Sequence, residues 1–301
     1  GTETYQAINF RLTKTLDGKN DLAKLLDESY NASITKPSGL MTSAGYTFDT
    51  NVTRASDISD IRSDSIYSFS ASKALSITVS KFTRLKLSGF IDTEQFRSYT
   101  GLSHISGGGE AEFMYRTSGD FGAPTFGIFA RFTDDSYEST LRDGTRSSAG
   151  LTLRTPLSDR INCFAALSDN VRASNTEVFN TQDISLRTNL DYQVNMKQAF
   201  YVTGEYRKGD IVSSAQGTLK ALDIAAVTTP DDVFKTPQFQ DYRMKGKTSL
   251  LTLGYNISLG TKDSLDISWR GVLSKPDVSP DYASPVSYTD SQYSIVYLMV
   301  F

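Results

Sequence analysis

Along most of the chain apolar and polar side chains alternate one by one, the period-2 signature of strands with two unlike faces. In 184–194, ISLRTNLDYQV, one face carries Ile184, Leu186, Leu190, Tyr192 and Val194. The other carries Ser185, Arg187, Asn189, Asp191 and Gln193. In 265–271, Leu265, Ile267 and Trp269 alternate with Asp266, Ser268 and Arg270. In 200–207, Phe200, Val202 and Tyr206 alternate with Tyr201, Thr203, Glu205 and Arg207. The pattern predicts about 14 strands, near 4–15, 29–36, 40–51, 64–76, 83–97, 104–116, 124–136, 145–155, 160–171, 182–194, 198–211, 248–258, 264–274 and 290–301. One short run, NDLAKLLDE at 20–28, also reads as a helix.

The connections alternate in length. Short ones fall at 36–39 (KPSG), 117–124, 155–160, 195–198 and 259–264; long ones at 17–28, 52–63, 172–181, about 212–247 and 275–290. A soluble sandwich keeps most strands near five or six residues and has no need of alternating loop lengths. Long tilted strands joined by short turns on one side and long loops on the other are the pattern of a transmembrane barrel. Tilted strands cross the hydrocarbon layer in about 9–11 residues, and closure removes the exposed sheet edges. The expected fold is therefore all-β: a transmembrane antiparallel up-and-down β-barrel in one domain, 1–301. About 14 strands are expected, or 12 if residues 1–38 form a lumenal or periplasmic plug or linker instead of the first hairpin. The alternation of Ile8, Phe10 and Leu12, with KPSG as a tight turn, favours 14. Segment 212–247 is expected to be a long extracellular loop.

The chain closes on SIVYLMVF, 294–301. Tyr293, Ile295, Tyr297, Met299 and Phe301 share one face. A terminal strand of this kind ending in Phe resembles the assembly signal of bacterial outer-membrane β-barrel proteins. The resemblance is to the class and extends over the whole strand pattern. EYRKGD (205–210) and TLGYNISLGTKDSLDISW (252–269) are similar to ordinary barrel hairpins. It implies an integral protein of the bacterial outer membrane, with short turns and both termini periplasmic and long loops outside. It implies Tyr297, Met299 and Phe301 as the handle for the barrel-assembly machinery, and membrane lipid and lipopolysaccharide as partners. A periplasmic partner or an upstream domain stays open. The opposite face, Val296, Leu298 and Val300, then points inward and is expected to be covered.

Composition narrows the chemistry. The 31 basic and 34 acidic residues give a net charge of −3, and the basic ones are dispersed, which argues against nucleic acid as partner. Cys163 is the single cysteine and His104 the single histidine. That excludes intramolecular disulfides, cysteine zinc sites and two-histidine metal motifs, so no cofactor or metal is expected. No apolar run reaches membrane-helix length. The chain starts at Gly1 without a signal peptide, as a mature or trimmed product would. An enzyme reading depends on His104 alone; Ser103 and Ser106 are close in sequence, but neighbours on a strand face opposite ways. His104 reads as a loop-end histidine, Cys163 as a small outward apolar residue, and no enzyme is expected.

The inward faces then carry the function. Lys86, Asp92, Glu94, Glu110, Glu112 and Arg116 lie on two neighbouring strands; Arg131, Arg154, Arg187, Asp191, Glu205, Arg207, Asp266 and Arg270 lie on later ones. Acids on one side facing arginines across the lumen would set up a transverse field that favours polar solutes. Pairing between adjacent strands is the competing arrangement. Gly107-Gly108-Gly109 inside a strand marks a barrel corner, contact with an inward loop, or plain curvature. Segment 212–247 either folds into or caps the lumen and sets pore size, or is a surface loop packed on its neighbours. Asp134-Asp135 and Asp231-Asp232 are candidates for divalent cations, or simply solvated. The expected function is a porin-like outer-membrane channel for passive passage of small polar solutes. The alternatives are the translocator barrel of a larger secretion protein, such as an exopolysaccharide exporter or autotransporter, or a closed-lumen enzyme or adhesin.

Overall fold

The computed structural model describes residues 39–216, 225–234, 239–277 and 287–301. These form thirteen strands: β1 (Met41–Asp49), β2 (Asp64–Ser80), β3 (Thr83–Phe96), β4 (His104–Arg116), β5 (Thr125–Tyr137), β6 (Gly144–Ser158), β7 (Ile161–Ser174), β8 (Thr181–Asn195), β9 (Gln198–Gln216), β10 (Val227–Pro230), β11 (Phe239–Ser258), β12 (Asp263–Pro276) and β13 (Tyr288–Val300). Twelve close into an antiparallel ring, β1 to β9 followed by β11, β12 and β13, with β13 pairing back onto β1 from Met41↔Val300 to Asp49↔Gln292. β10 stands outside the ring. It pairs with β11 from Val227↔Arg243 to Pro230↔Gln240, alongside the part of β11 that precedes its pairing with β12 at Gly246↔Pro276.

The ring is thus complete with twelve strands, and the expectation of about 14 is corrected to the alternative of 12. The strands expected at 4–15 and 29–36, and the helical run at 20–28, lie outside the described residues. The loop expected at 212–247 is also corrected. Its first residues continue β9 to Gln216, its last ones begin β11 at Phe239, and β10 lies between.

Alternation sets the two faces of the wall. Tyr67, Phe69, Ile128, Leu151, Leu186, Leu253 and Ile295 are exposed on the outside, while Ser70, Glu112, Thr152, Ser185, Thr203 and Asp266 are buried on the inside. That is the inverse of a soluble domain and suits a lipid-facing exterior, where the closed ladder also satisfies every backbone group inside the wall. Tight turns at 81–82, 159–160, 196–197 and 259–262, with the eight-residue connection 117–124, lie at one end with the start of β1 and the end of β13; the loops holding the 3-10 turns, the β1–β2 loop and the β9–β11 connection lie at the other.

Inside, three aromatic rings lie on glycines directly opposite in the neighbouring strand: Phe90 on Gly108, Phe129 on Gly150 and Tyr201 on Gly254. A Cβ at these glycines would come within 2.7, 2.9 and 2.0 Å of the respective rings. The glycine triplet therefore seats a side chain; the loop contact suggested for it is not what Gly108 makes. Tyr201 continues past Gly254 to donate its hydroxyl to Asp266 at 2.8 Å.

The loops β3–β4, β5–β6 and β7–β8 share one design. Each holds a one-turn 3-10 helix, Thr100–Leu102, Thr140–Arg142 and Glu177–Phe179. After each turn, Ser103, Asp143 or Asn180 accepts a hydrogen bond from the backbone N–H at the end of the preceding strand: Phe96, Tyr137 and Ser174, at 3.0, 2.6 and 2.6 Å. These bonds fix the loops without extended pairing.

Candidate functional site: a capped, arginine-lined lumen

Two cavities lie against the inner wall. One of about 410 Å³ runs under β4 to β9 and is lined by Glu110, Glu112, Arg131, Arg146, Arg154, Arg172, Asp183, Arg187, Glu205 and Arg207, with Phe129 and Phe164. The other, about 250 Å³, is lined by Arg54, Asp183, Arg207, Asp210, Arg270, Tyr288 and Gln292. They share Asp183 and Arg207.

The structure brings together many of the charged residues singled out from sequence. Glu110, Glu112, Arg131, Arg154, Arg187, Glu205 and Arg207 line the larger cavity, and Arg270 the smaller. Lys86, Asp92 and Glu94 lie along β3, paired in register with Glu112, Ser106 and His104, and line neither of these two cavities. Asp191 is paired in register with Tyr201, and Asp266 is buried beneath the Tyr201 hydroxyl. Arg116 is at the short-turn end and donates to the Asp120 carbonyl at 2.7 Å. Arg146 and Arg172 were missed from sequence, although alternation with Leu151 and Val171 places them on the same inner face.

Charge pairing is mostly local. Glu110 stands opposite Arg131 on the adjacent strand. Glu112 reaches over β5 to Arg154, whose Nη1 and Nη2 donate to its two carboxylate oxygens at 2.6 and 3.1 Å, and the Thr152 hydroxyl donates to its Oε1 at 2.8 Å. Gly127 opens that route, since a Cβ there would meet the Thr152 Oγ1 at 2.3 Å and the Glu112 Oε1 at 2.9 Å. Arg207 is ion-paired with Glu205 on its own strand. Arg131 stacks on Phe90 at 4.2 Å and Arg154 on Phe164 at 5.0 Å, which fixes the planes of both guanidinium groups.

Above the cavities the long loops meet across the mouth. β3 and β11 are five places apart in the ring of twelve. Yet Val233 and Phe234, between β10 and β11, pack with Val52, Phe96, Tyr99 and Leu102 into one apolar cluster with Phe239. Arg142, buried in the β5–β6 turn, holds three carboxylates of this segment: Asp231 at 2.8 Å, Asp232 at 3.0 Å and Asp241 at 2.9 Å. Its guanidinium also stacks on Phe179 at 4.5 Å. Arg243 donates to the Glu177 carbonyl at 2.7 Å. From the β1–β2 loop, the Thr53 carbonyl and the Asp60 carboxylate accept from the Ser214 and Gln216 amides at 2.9 and 3.0 Å. Each 3-10 turn thus contributes a contact to the segment crossing the mouth. Of the two readings of 212–247, the described parts match the capping one in placement: they lie across the mouth, held by the neighbouring loops.

In the β1–β2 loop, Arg54 adopts a left-handed backbone (φ 55°) and is ion-paired with Asp49 at 2.9 Å and with Asp290. Burial alone would lower its pKa; the carboxylates of Asp49 and Asp290 more than reverse this and hold it above the usual arginine value. Three of the four acids considered for cations are held by arginine. Asp231 and Asp232 bind Arg142. Asp135 is bound to Arg146 at 2.6 Å and accepts from Ser106 at 2.6 Å. The His104 Nδ1 lies 3.1 Å from the Leu102 carbonyl and its ring stacks on Tyr137 at 4.6 Å.

At the other end, Tyr297 and Met299 pair in register with Ala44 and Thr42 of β1, and the Phe301 amide donates to the Leu40 carbonyl at 2.9 Å. Phe301 is exposed, whereas Leu298 on the inner face is buried between Ser43 and Ser264.

A closed twelve-strand antiparallel ring with an apolar exterior is a fold of bacterial outer-membrane β-barrel proteins. Comparison with solved structures finds it in an outer membrane channel from Pseudomonas putida F1, with a TM-score of 0.54 at 12% identity, covering 89% of this chain and 98% of that one. Lower similarity extends to the NanC porin (TM-score 0.46, 8% identity, covering 87% of this chain and 99% of that one). It also extends to outer membrane phospholipase A from Escherichia coli (TM-score 0.47, 9% identity, covering 97% of this chain and 96% of that one). No protein-family model and no curated protein matches the sequence.

Proposed function

We propose that the chain is an outer-membrane channel for passive movement of small polar solutes, with a charged lumen and a cap that restricts entry. The observation that carries this reading is the pair of charge-lined cavities inside a wall whose outer surface is apolar. In this reading the short turns and both chain ends face the periplasm and the capped mouth faces outward. Tyr297, Met299 and Phe301 then present the outward face of the last strand to the assembly machinery, with lipid and lipopolysaccharide around the barrel. The test is reconstitution of the full chain in planar lipid bilayers, beside an Arg142→Ala variant with a weakened cap. Stepwise conductance that rises in the variant supports the reading. No conductance from either protein overturns it.

A further inference from the structure

The wall of the two cavities differs in charge from the molecule as a whole. They are lined by eight arginines against five carboxylates, in a chain whose net charge is −3. The cavities are neighbours, with Arg207 and Asp183 lining both, so the positive surplus extends over adjoining stretches of the wall. In the larger cavity the cations are guanidinium groups, whose planar fork matches carboxylate and phosphate oxygens. Phe129 and Phe164 add apolar surface beside them. A volume of about 410 Å³ falls in the range that holds one small solute.

We infer that the larger cavity is a binding subsite for small organic anions, solutes of about monosaccharide size that carry a carboxylate or a phosphate, and that it makes the channel anion-selective. The inference rests on the channel reading. The attraction comes from the surplus of six arginines over four carboxylates in the lining; Arg131 and Arg187 stand opposite Glu110 and Glu205 in the ladder, and Arg154 is held by Glu112 and stacked on Phe164.

The test separates the two ideas. Reversal potentials in a KCl gradient give the anion-to-cation permeability ratio. Block of the current by glucuronate and by glucose 6-phosphate, against neutral glucose, gives binding. Wild type is expected to favour anions and to be blocked by both acids but not by glucose. Arg187→Gln is expected to lower the permeability ratio about threefold, the effect of removing one charge at a few ångströms in a water-filled space, and Arg187→Lys to restore it. A conducting channel with no anion preference and no block by either acid overturns the subsite and leaves the channel standing. If no current appears, the channel reading fails, and calorimetry on the detergent-solubilised full chain decides the subsite. Glucuronate binding that weakens in Arg187→Gln upholds it, and no binding sinks it.

Discussion

Removing the Arg142 side chain is the most incisive perturbation of the cap. The Arg142 side chain is 6% exposed and ion-paired with Asp231 and Asp241, whose side chains are 0% and 1% exposed. Asp232, at 42%, is wet and contributes little. Arg142→Ala leaves two buried carboxylates without their cation, a change that typically costs about 3–5 kcal/mol. The loss falls on the cap, because the twelve-strand ladder does not use Arg142. At about 1.4 kcal/mol per tenfold, even the lower figure shifts the cap's closed-to-open ratio roughly 150-fold. Hydrogen exchange reads this directly. The Val233 and Phe234 amides donate to the Asp231 carboxylate at 2.8 and 2.6 Å, and the Ala226 amide to the Arg243 carbonyl at 3.0 Å. These three should exchange on the order of a hundred times faster in the variant, while amides of β3 to β8 keep their protection. The triple variant Arg142→Met, Asp231→Asn, Asp241→Asn removes both sides of the charge cluster and should recover most of the loss. Unchanged exchange at Val233 and Phe234 in Arg142→Ala would refute the reasoning, as would a triple variant as open as the single one.

Three further outcomes are expected. Gly254→Ala drives a methyl group into the Tyr201 ring and strains its bond to Asp266, costing about 1–3 kcal/mol in urea unfolding, whereas Gly119→Ala, with open space around it, should cost far less. Glu112→Gln removes the carboxylate charge that holds Arg154 and should destabilise the barrel by about 3 kcal/mol; an unfolding midpoint equal to wild type would contradict the bridge over Gly127. Deleting Phe301 should reduce the yield of folded barrel in the outer membrane several-fold while leaving the unfolding midpoint of the material that does assemble nearly unchanged; equal yield would remove the assembly role from this residue.

Alternation made the wall legible. It places β4 at His104–Arg116 as expected from sequence, and every other strand of the ring within a few residues except the early start of β11 and the late end of β9. The inner faces of β5 to β8 follow from it directly. Alternation reports that a segment has two unlike faces, not which strand it will pair with. The count therefore failed at residues 4–36, where the pattern was sound but Met41 closes on Val300. The cap was illegible for a related reason. Arg142 lies in a turn with no periodicity, and its partners are 89, 90 and 99 residues away. Only the folded ring brings them together. The glycines had a local signal, an inward glycine where alternation calls for a side chain, but sequence did not show which ring fills the gap.

The seam between β1 and β13 also governs the order of folding. It joins Met41 to Val300, while the neighbouring hairpins from β2 to β9 are all local in sequence. Local hairpins form first and distant pairings last, because loop closure must be completed before the contact rewards it. Until Val300 arrives, the growing sheet has two free edges and an apolar outer face, the combination most prone to wrong association. β1 is also the shortest strand of the ring, nine residues against at least thirteen in every other, so the closing seam has nine register pairs, as few as any in the ring. Barrel closure is then the expected slow step of folding.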